Sequence, residues 1–356
     1  MFRGAAVVKG NKTKRGSLPL LRFLVLLLAG VSCSLVPDPR PSNKLVLATW
    51  NVENLFDEVH DGDEYTEFDP DHGWTRAQFW ARCDSLAQVI RTLGHPDVLV
   101  LEEVEGAHAA EVLNTRFLAD QGYTHTFLAP PEVRGIKTVF LSRFPIVRTG
   151  LLFPPSEDAS EPLRPVVEAE FDLGGRALVV WGNHWKSRLP TPQATEKLRR
   201  EAARVLARRI KAVEARSDRP FLVAVGDFNT SLEMSQVWPD RALVSGGTAD
   251  RDTDELVVFP GLASAQKSRL PGAVWDPWET ITDPPGSYYY RGDWDRLDHT
   301  FIGVSSLRLG DWAFSSFRVV AFAPQPLAYG PRTPNGISDH FPLVLTLERR
   351  TGPPSP

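Results

Sequence analysis

Phe221-Leu222-Val223-Ala224-Val225-Gly226-Asp227-Phe228-Asn229 reads as a buried strand that ends in an acid and an amide. The apolar run before Gly226 has the length and continuity of a strand covered on both faces. Side chains two apart on a strand point the same way, so Asp227 and Asn229 are expected together at one edge of a sheet. Ligands of open α/β sheets collect beyond the carboxyl ends of strands. A carboxylate and an amide placed there can grip a water and a phosphate oxygen.

Other segments share this construction, an apolar run ending in groups that bind metal or move protons. They are Leu45-Val46-Leu47-Ala48-Thr49-Trp50-Asn51, Val98-Leu99-Val100-Leu101-Glu102-Glu103 and Leu178-Val179-Val180-Trp181-Gly182-Asn183-His184. Nearer the C-terminus, Asp298-His299-Thr300-Phe301-Ile302 puts the polar end first, and Ser338-Asp339-His340-Phe341-Pro342 adds an acid and a histidine. Groups so scattered form one site only if a single sheet core gathers them.

The 356 residues, 42% hydrophobic and 24% charged, suffice for one large domain or two small ones. The start differs in kind. Arg3, Lys9, Lys12, Lys14, Arg15 and Arg22 come with no acid among the first 32 residues, and an apolar core from Phe23 to Val31 follows. That core is too short to span a bilayer and fits a signal peptide over 1–32. Cys33, after Ala29-Gly30-Val31-Ser32, stands where a bacterial lipoprotein signal is cut and its cysteine lipidated, with ordinary signal cleavage as the other reading. Both imply export, to the periplasm or outer membrane as a lipoprotein, or by secretion.

Cys83 would then be the one thiol of the exported body, which excludes a disulfide framework and a cysteine-based zinc site. It lies on an apolar helical stripe and reads as a small buried hydrophobe. Without the leader, 34 basic residues face 44 acids, a formal charge of about −10. That balance disfavours a strongly basic non-specific polyanion binder. A local patch or bound divalent cations can still recruit phosphate.

Residues 33–43, rich in proline, read as a linker, 44–349 as the folded domain and 350–356 as a disordered tail. Thr75-Arg76-Ala77-Gln78 is a capping-box pattern for a helix burying Phe79, Cys83, Leu86, Ile90 and Leu93, with Gly94 as its stop. Thr191-Pro192 opens a second helix to about Arg216, burying Leu198, Ala202, Val205, Leu206, Ile210 and Val213. Its Arg200, Arg204, Arg208 and Lys211 could track a phosphate backbone; the plainer reading, a solvated helix face, is preferred on periodicity. Thr138 to Leu141, Ile146 to Leu152, Val166 to Phe171 and Ala177 to Trp181 follow one another without helices, so an α/β layered sandwich with a substantial antiparallel part is expected.

Taken in order, Thr49-Trp50-Asn51-Val52-Glu53-Asn54-Leu55-Phe56, Leu101-Glu102-Glu103-Val104-Glu105, Asn183-His184-Trp185-Lys186-Ser187, Gly226-Asp227-Phe228-Asn229, Arg296-Leu297-Asp298-His299 and Ser338-Asp339-His340-Phe341-Pro342 resemble the endonuclease/exonuclease/phosphatase superfamily, the deoxyribonuclease I-like fold. The resemblance covers the chain from about Lys44 to Glu348. It implies a four-layer α-β-β-α sandwich of two mixed β-sheets flanked by helices, and one divalent-metal phosphoesterase site.

By position, the resemblance makes Asn51 and Glu103 the metal pair, with Asp339 beside the metal or its waters. Oxygen ligands suit Mg2+ or Mn2+. Phosphoryl hydrolysis needs an oriented nucleophile, charge neutralisation and protonation of the leaving oxygen. The family pattern gives the first to Asp227 and has Asn229 donate to a non-bridging oxygen. It pairs Asp298 with His340, sets His184 against the phosphate or leaving group, and aims Arg164, with Asn183, at phosphate. Many relatives carry an acid where Lys137 stands, one able to pair with the histidine matching His184; with lysine there, that partner is missing.

Taken singly these residues have plainer readings: Asn183 and Asp339 as turn formers, His184 and His340 as satisfied histidines, Arg164 as a surface charge. Tyr288-Tyr289-Tyr290-Arg291 could stack bases or pack at a strand edge. Asp57, Asp61, Asp63, Glu64, Glu67, Asp69 and Asp71 lack calcium-loop spacing, and both a solvated loop and a weak cation site stay open. The resulting expectation is an exported metal-dependent phosphodiesterase acting on nucleic acid, DNA or RNA. A lipid-headgroup phosphodiesterase or phosphomonoesterase is the alternative, and a catalytically silent phosphate-binding lipoprotein is the alternative of another class.

Overall fold

Two mixed sheets carry the chain. In the first, β1 (Lys44–Leu55), β2 (Val98–Val104), β3 (His125–Leu128), β4 (Lys137–Ser142), β15 (Trp312–Val319) and β16 (Leu343–Arg349) lie in the order β15-β16-β1-β2-β4-β3. In the second, β5 (Ile146–Leu152), β6 (Val166–Asp172), β7 (Ala177–His184), β8 (Phe221–Asp227), β9 (Leu243–Ser245), β10 (Leu256–Phe259), β11 (Val274–Trp275) and β14 (Asp298–Gly303) lie in the order β5-β6-β7-β8-β14-β11-β10-β9. A hairpin, β12 (Tyr288–Tyr290) and β13 (Asp293–Asp295), stands apart. The computed structural model describes residues 43–62, 64–130, 133, 135–156, 162–247, 254–331 and 336–351. The expected signal peptide with Cys33, the expected linker before Asn43, and Asp63, Arg134 and residues 352–356 lie outside them.

Strand alternation builds the layers. Leu45, Leu47, Val98 and Val100 meet Leu178, Val180, Val223 and Val225 between the sheets. Their neighbours in sequence face the other way. Ala48, Trp50, Leu99 and Leu101 pack on Phe79, Cys83, Leu86 and Ile90 of α1 (Arg76–Arg91). The short α2 (Ala107–Val112) adds Ala109 and Ala110 to the same layer. Val179, Trp181, Leu222 and Ala224 pack on Ala202, Leu206, Ile210 and Val213 of α3 (Pro192–Glu214). Helix, sheet, sheet, helix is the four-layer sandwich expected from the sequence, and the consecutive strands β4 to β7 lie in antiparallel ladders, β4 with β2 and β3, β5 with β6, and β6 with β7.

Both predicted helix starts are present. Thr75 Oγ1 accepts the Gln78 amide and Gln78 Oε1 accepts the Thr75 amide, while Thr191 Oγ1 accepts the Ala194 amide. The buried face of α3 is rotated from expectation: Leu198 and Val205 are only half-buried, and Thr195, Glu196 and Arg199 take the buried positions of its first turns. Arg199 and Glu196 pair at 2.8 Å, and Arg199 also donates to the carbonyls of Lys186 and Pro192. The polar network decides the helix's rotation because its buried hydrogen bonds must be satisfied. The arginines of the opposite face form ion pairs, Arg200 with Asp240, Arg204 with Glu201 and Arg208 with Asp254, in agreement with a solvated face.

Arg350, assigned from composition to a disordered tail, is instead fastened to the domain. Its amide donates to Asp311 O at 2.8 Å and its guanidinium to the carbonyls of Leu307 and Arg308. Those carbonyls belong to the last turn of a short helix and lack helical partners, which is why an arginine there is held. Among the described residues no helix is long and apolar enough to cross a membrane.

Candidate active site

Register brings the scattered polar ends to one edge. β7 and β8 run parallel with His184 opposite Asp227, β14 runs antiparallel to β8 with Asp298 opposite Asp227, and β1 runs parallel to β2 with Asn51 opposite Glu102. The antiparallel course of β14 explains why its polar residue comes first. Gly226, at φ +121, permits the closest approach: a Cβ there would stand 2.1 Å from Asn183 O and 2.9 Å from Glu102 Oε1. A cleft of 720 Å³ opens above this edge, lined by Asn51, Glu103, Arg164, His184, Asp227, Asn229, Asp339 and His340 with the β12–β13 hairpin along one side.

Asp227 and Asn229 are adjacent for a reason other than strand parity. β8 ends at Asp227, and Asn229 is left-handed at φ +51. The turn folds the amide back: Asp227 Oδ1 accepts the Asn229 amide at 2.8 Å and Oδ2 accepts Asn229 Nδ2 at 2.9 Å. Asn51 Nδ2 reaches Asp227 Oδ2 at 3.2 Å and Glu103 Oε1 at 3.1 Å, joining the two sheets across the site. Glu103 is itself left-handed, φ +67, at the register shift in the β1–β2 pairing, which resumes at Leu55 and Val104.

His340 and His184 face Asp227 from two directions. His340 Nδ1 is 2.7 Å from Asp298 Oδ2, which also accepts Ser287 Oγ at 2.6 Å. Burial opposes a charged His340, but Asp298, Asp339 and Asp227 outweigh it and hold its pKa well above the usual histidine range. His184 is the opposite case. Burial, then Arg164 and His340, press its pKa well below that range, so it is neutral. Its Nε2 is 3.4 Å from Glu103 Oε1, and its buried Nδ1 has no hydrogen-bond partner. Lys137 Nζ donates to the Glu105 and Gly135 carbonyls.

Asn183 does not reach the cleft, which corrects its placement among the phosphate ligands. It is fully buried, with Nδ2 donating to Trp181 O and Val225 O and Oδ1 accepting Trp185 Nε1 at 3.0 Å. On β7 it follows Val179 and Trp181 onto the helix side of the sheet, whereas His184 falls on the cleft side. Asp298 lies behind His340 and outside the cleft lining.

Sequence reading missed the supports. Glu53 Oε2 accepts the amides of Tyr329 and Asp339, tying the loop that carries His340 to the end of β1. Burial, followed by the Asp339 charge, lifts its pKa to about 7. Arg82, 1% exposed, donates to the Val52, Glu53 and Ile337 carbonyls. A charged residue three positions after Phe79, on the face that buries the helix, was the available signal.

His299, beside Asp298, has Nδ1 2.9 Å from Asp276 Oδ2 and Nε2 2.9 Å from Thr230 O. Two acceptors require two N–H donors, so the buried ring is an imidazolium. Burial works against that charge, yet Asp276, the hydrogen bond to Thr230 O and Asp298 together raise its pKa. A raised folded pKa adds stability that is fully present below the unfolded value of about 6.5 and is lost as pH climbs through the folded one. The gap in unfolding free energy between the protein and His299→Gln should accordingly be widest below about pH 6.5 and narrow on the alkaline side. Denaturant melts across that range check it, and a gap that widens with pH would contradict the charged ring.

The cleft's donor set fits a hard cation. Buried Glu103 has its pKa raised, chiefly by desolvation, and Asp227 is lifted to about 7, again chiefly by burial, a cost that a cation beside them would offset. Among the described residues no three acid or histidine ligand atoms of the cleft lie within 4.8 Å of one another; such triplets occur only in the loop after β1. Few protein ligands, all oxygen, suit an ion such as Mg2+ that keeps several waters and engages a substrate phosphate, and do not suit a closed zinc site.

The model for the Endonuclease/Exonuclease/phosphatase family matches residues 46–323. The chain belongs to this family. Members of the endonuclease/exonuclease/phosphatase family are metal-dependent phosphoester hydrolases. Solved structures share the fold: D. rerio TDP2 complexed with single strand DNA product (17% identity, 86% of this chain and 100% of that one, TM-score 0.53), a Bacteroides thetaiotaomicron endonuclease/exonuclease/phosphatase family protein (16%, 86% and 98%, 0.53) and the human Nocturnin catalytic domain with bound sulfate anion (14%, 86% and 94%, 0.51). No curated protein matches the chain.

Proposed function

We propose that this family member is an exported phosphodiesterase that hydrolyses nucleic acid with Mg2+ or Mn2+. The observation that carries the reading is one cleft holding Glu103 with Asn51 on the first sheet, and Asp227 with the Asp298-backed His340 on the other side. Glu103, helped by Asn51 and Asp339, would hold the cation. When bound, it supplies charge neutralisation at a phosphate oxygen and at the leaving oxygen.

This chain's own residues do the rest. Asp227, pinned through both oxygens by Asn51 and Asn229, orients a water and accepts its proton. His340 turns its Nε2–H and Arg164 its guanidinium toward the phosphate, matching donors to non-bridging oxygens, while Asn229, whose Nδ2 donates to Asp227 Oδ2 and Trp185 O, holds the carboxylate in place. Neutral His184 faces the leaving oxygen. Exposed Tyr290 and Leu189 on the cleft edge offer apolar surface to bases. The leader and Cys33 support export.

Purified protein should cleave single-stranded DNA or RNA with Mg2+ or Mn2+ and lose at least about 10³-fold of that rate in excess chelator, regaining it on metal addition. Turnover indifferent to chelator would reject the mechanism. A panel of DNA, RNA, sphingomyelin and sugar phosphates tests the substrate, and faster turnover of the lipid would replace nucleic acid by a membrane phosphodiester.

A further inference from the structure

We infer that the loop after β1 holds a second divalent cation, of the hard calcium class, between the carboxylates of Asp61, Glu64 and Glu105. One oxygen from each lies within 4.8 Å of the other two. An acidic cluster of this kind is ordinary on a surface, but Glu105 is not on the surface. It is 4% exposed, its Oε2 accepts the Asp57 amide at 2.7 Å, and its Oε1 is buried with no hydrogen-bond partner. Buried carboxylate oxygens are almost always bonded, and the Glu105 carboxylate stands close to two further carboxylates, where repulsion adds to desolvation. A cation between them removes both penalties.

Glu64 is positioned by the backbone amides of Asp61 and Gly62. Lys137 Nζ donates to the Glu105 carbonyl, not to Oε1. Three hard oxygen donors, one buried and one exposed, leave an open side for the waters that complete the six to eight ligands of a calcium ion. With neither thiolate nor imidazole among the three, a softer metal is disfavoured. The neighbouring group His60, Asp69 and Asp71 is exposed or half-buried and strands no buried oxygen, so it carries no such argument.

This site is distinct from the cleft: Glu103 lines the cleft and Glu105, two residues on, does not. Calcium filling it would fasten the loop to the end of β2.

The test uses the full chain, calorimetric titration with CaCl2 and thermal melting, neither of which reads hydrolysis. Calcium should raise the melting temperature of the unaltered protein and of Glu103→Ala alike, because the second site survives loss of the first. Glu105→Gln should bind calcium about tenfold or more weakly and lose the melting shift. Asp61→Asn, at an exposed residue, should weaken binding likewise and decides the matter if Glu105→Gln fails to fold. Calcium binding that is absent from Glu103→Ala, or unchanged in Asp61→Asn or in a folded Glu105→Gln, overturns the proposal.

Discussion

Replacing His340 with alanine is expected to lower phosphodiester hydrolysis by about 10³-fold or more while the protein still folds. The size follows from what surrounds the ring. Asp298 Oδ2 sits 2.7 Å from Nδ1 and is itself fixed by Ser287 Oγ, so the imidazole has one orientation. Three carboxylates overcome its burial and keep it charged. An oriented imidazolium at a buried position needs no reorganisation when charge develops on phosphate, which is where electrostatic catalysis is strongest.

Because Asp298 acts through the ring, the two residues should behave as one unit. Asp298→Asn keeps an acceptor near Nδ1 but removes the charge, and should cost about 10²-fold in kcat by itself. In the His340→Ala background the same change should cost almost nothing. Measuring kcat and KM for both singles and the double at saturating Mg2+ gives the coupling. Losses that multiply would show two independent roles, and the assigned pairing would be wrong.

Apolar runs and their parity made the strands legible, and with them the four layers, because a strand buried on both faces admits few sequences. The site residues were legible one strand end at a time, through family order. What sequence could not supply was the direction of side chains where strands stop. Asn183 and His184 are neighbours in an unbroken strand and so face opposite layers, which a motif quoted as a string conceals. Asn229 was predicted beside Asp227 by alternation, yet the structure achieves it by a left-handed turn. Arg199 and Glu196 hid inside a helical stripe for a similar reason: periodicity assigns a face, and only packing tells whether that face ends in hydrocarbon or in a hydrogen-bonded pair.

Arg82 poses that question most sharply, and Arg82→Ala is expected to destabilise the protein by about 3 kcal/mol or more. Its guanidinium is the common donor to Val52 O and Glu53 O at the end of β1 and to Ile337 O three residues before His340, and it stacks at 4.1 Å on Tyr329. Burial pushes its pKa down to about 10, which still leaves it charged at neutral pH. Truncation would remove that donor from three carbonyls at once and free the segment whose amides hold Glu53. For a domain of this size the loss corresponds to a melting temperature lower by roughly 5 °C. Arg82→Lys should recover little, since a point ammonium cannot serve carbonyls from two separate segments as a planar fork does. Activity should fall with stability, through misplacement of Asp339 and His340, even though Arg82 itself does not line the cleft. Melting within a degree of the unaltered protein would mean that the β1 end and the His340 loop are held together by other contacts, and that the buried arginine merely fills space.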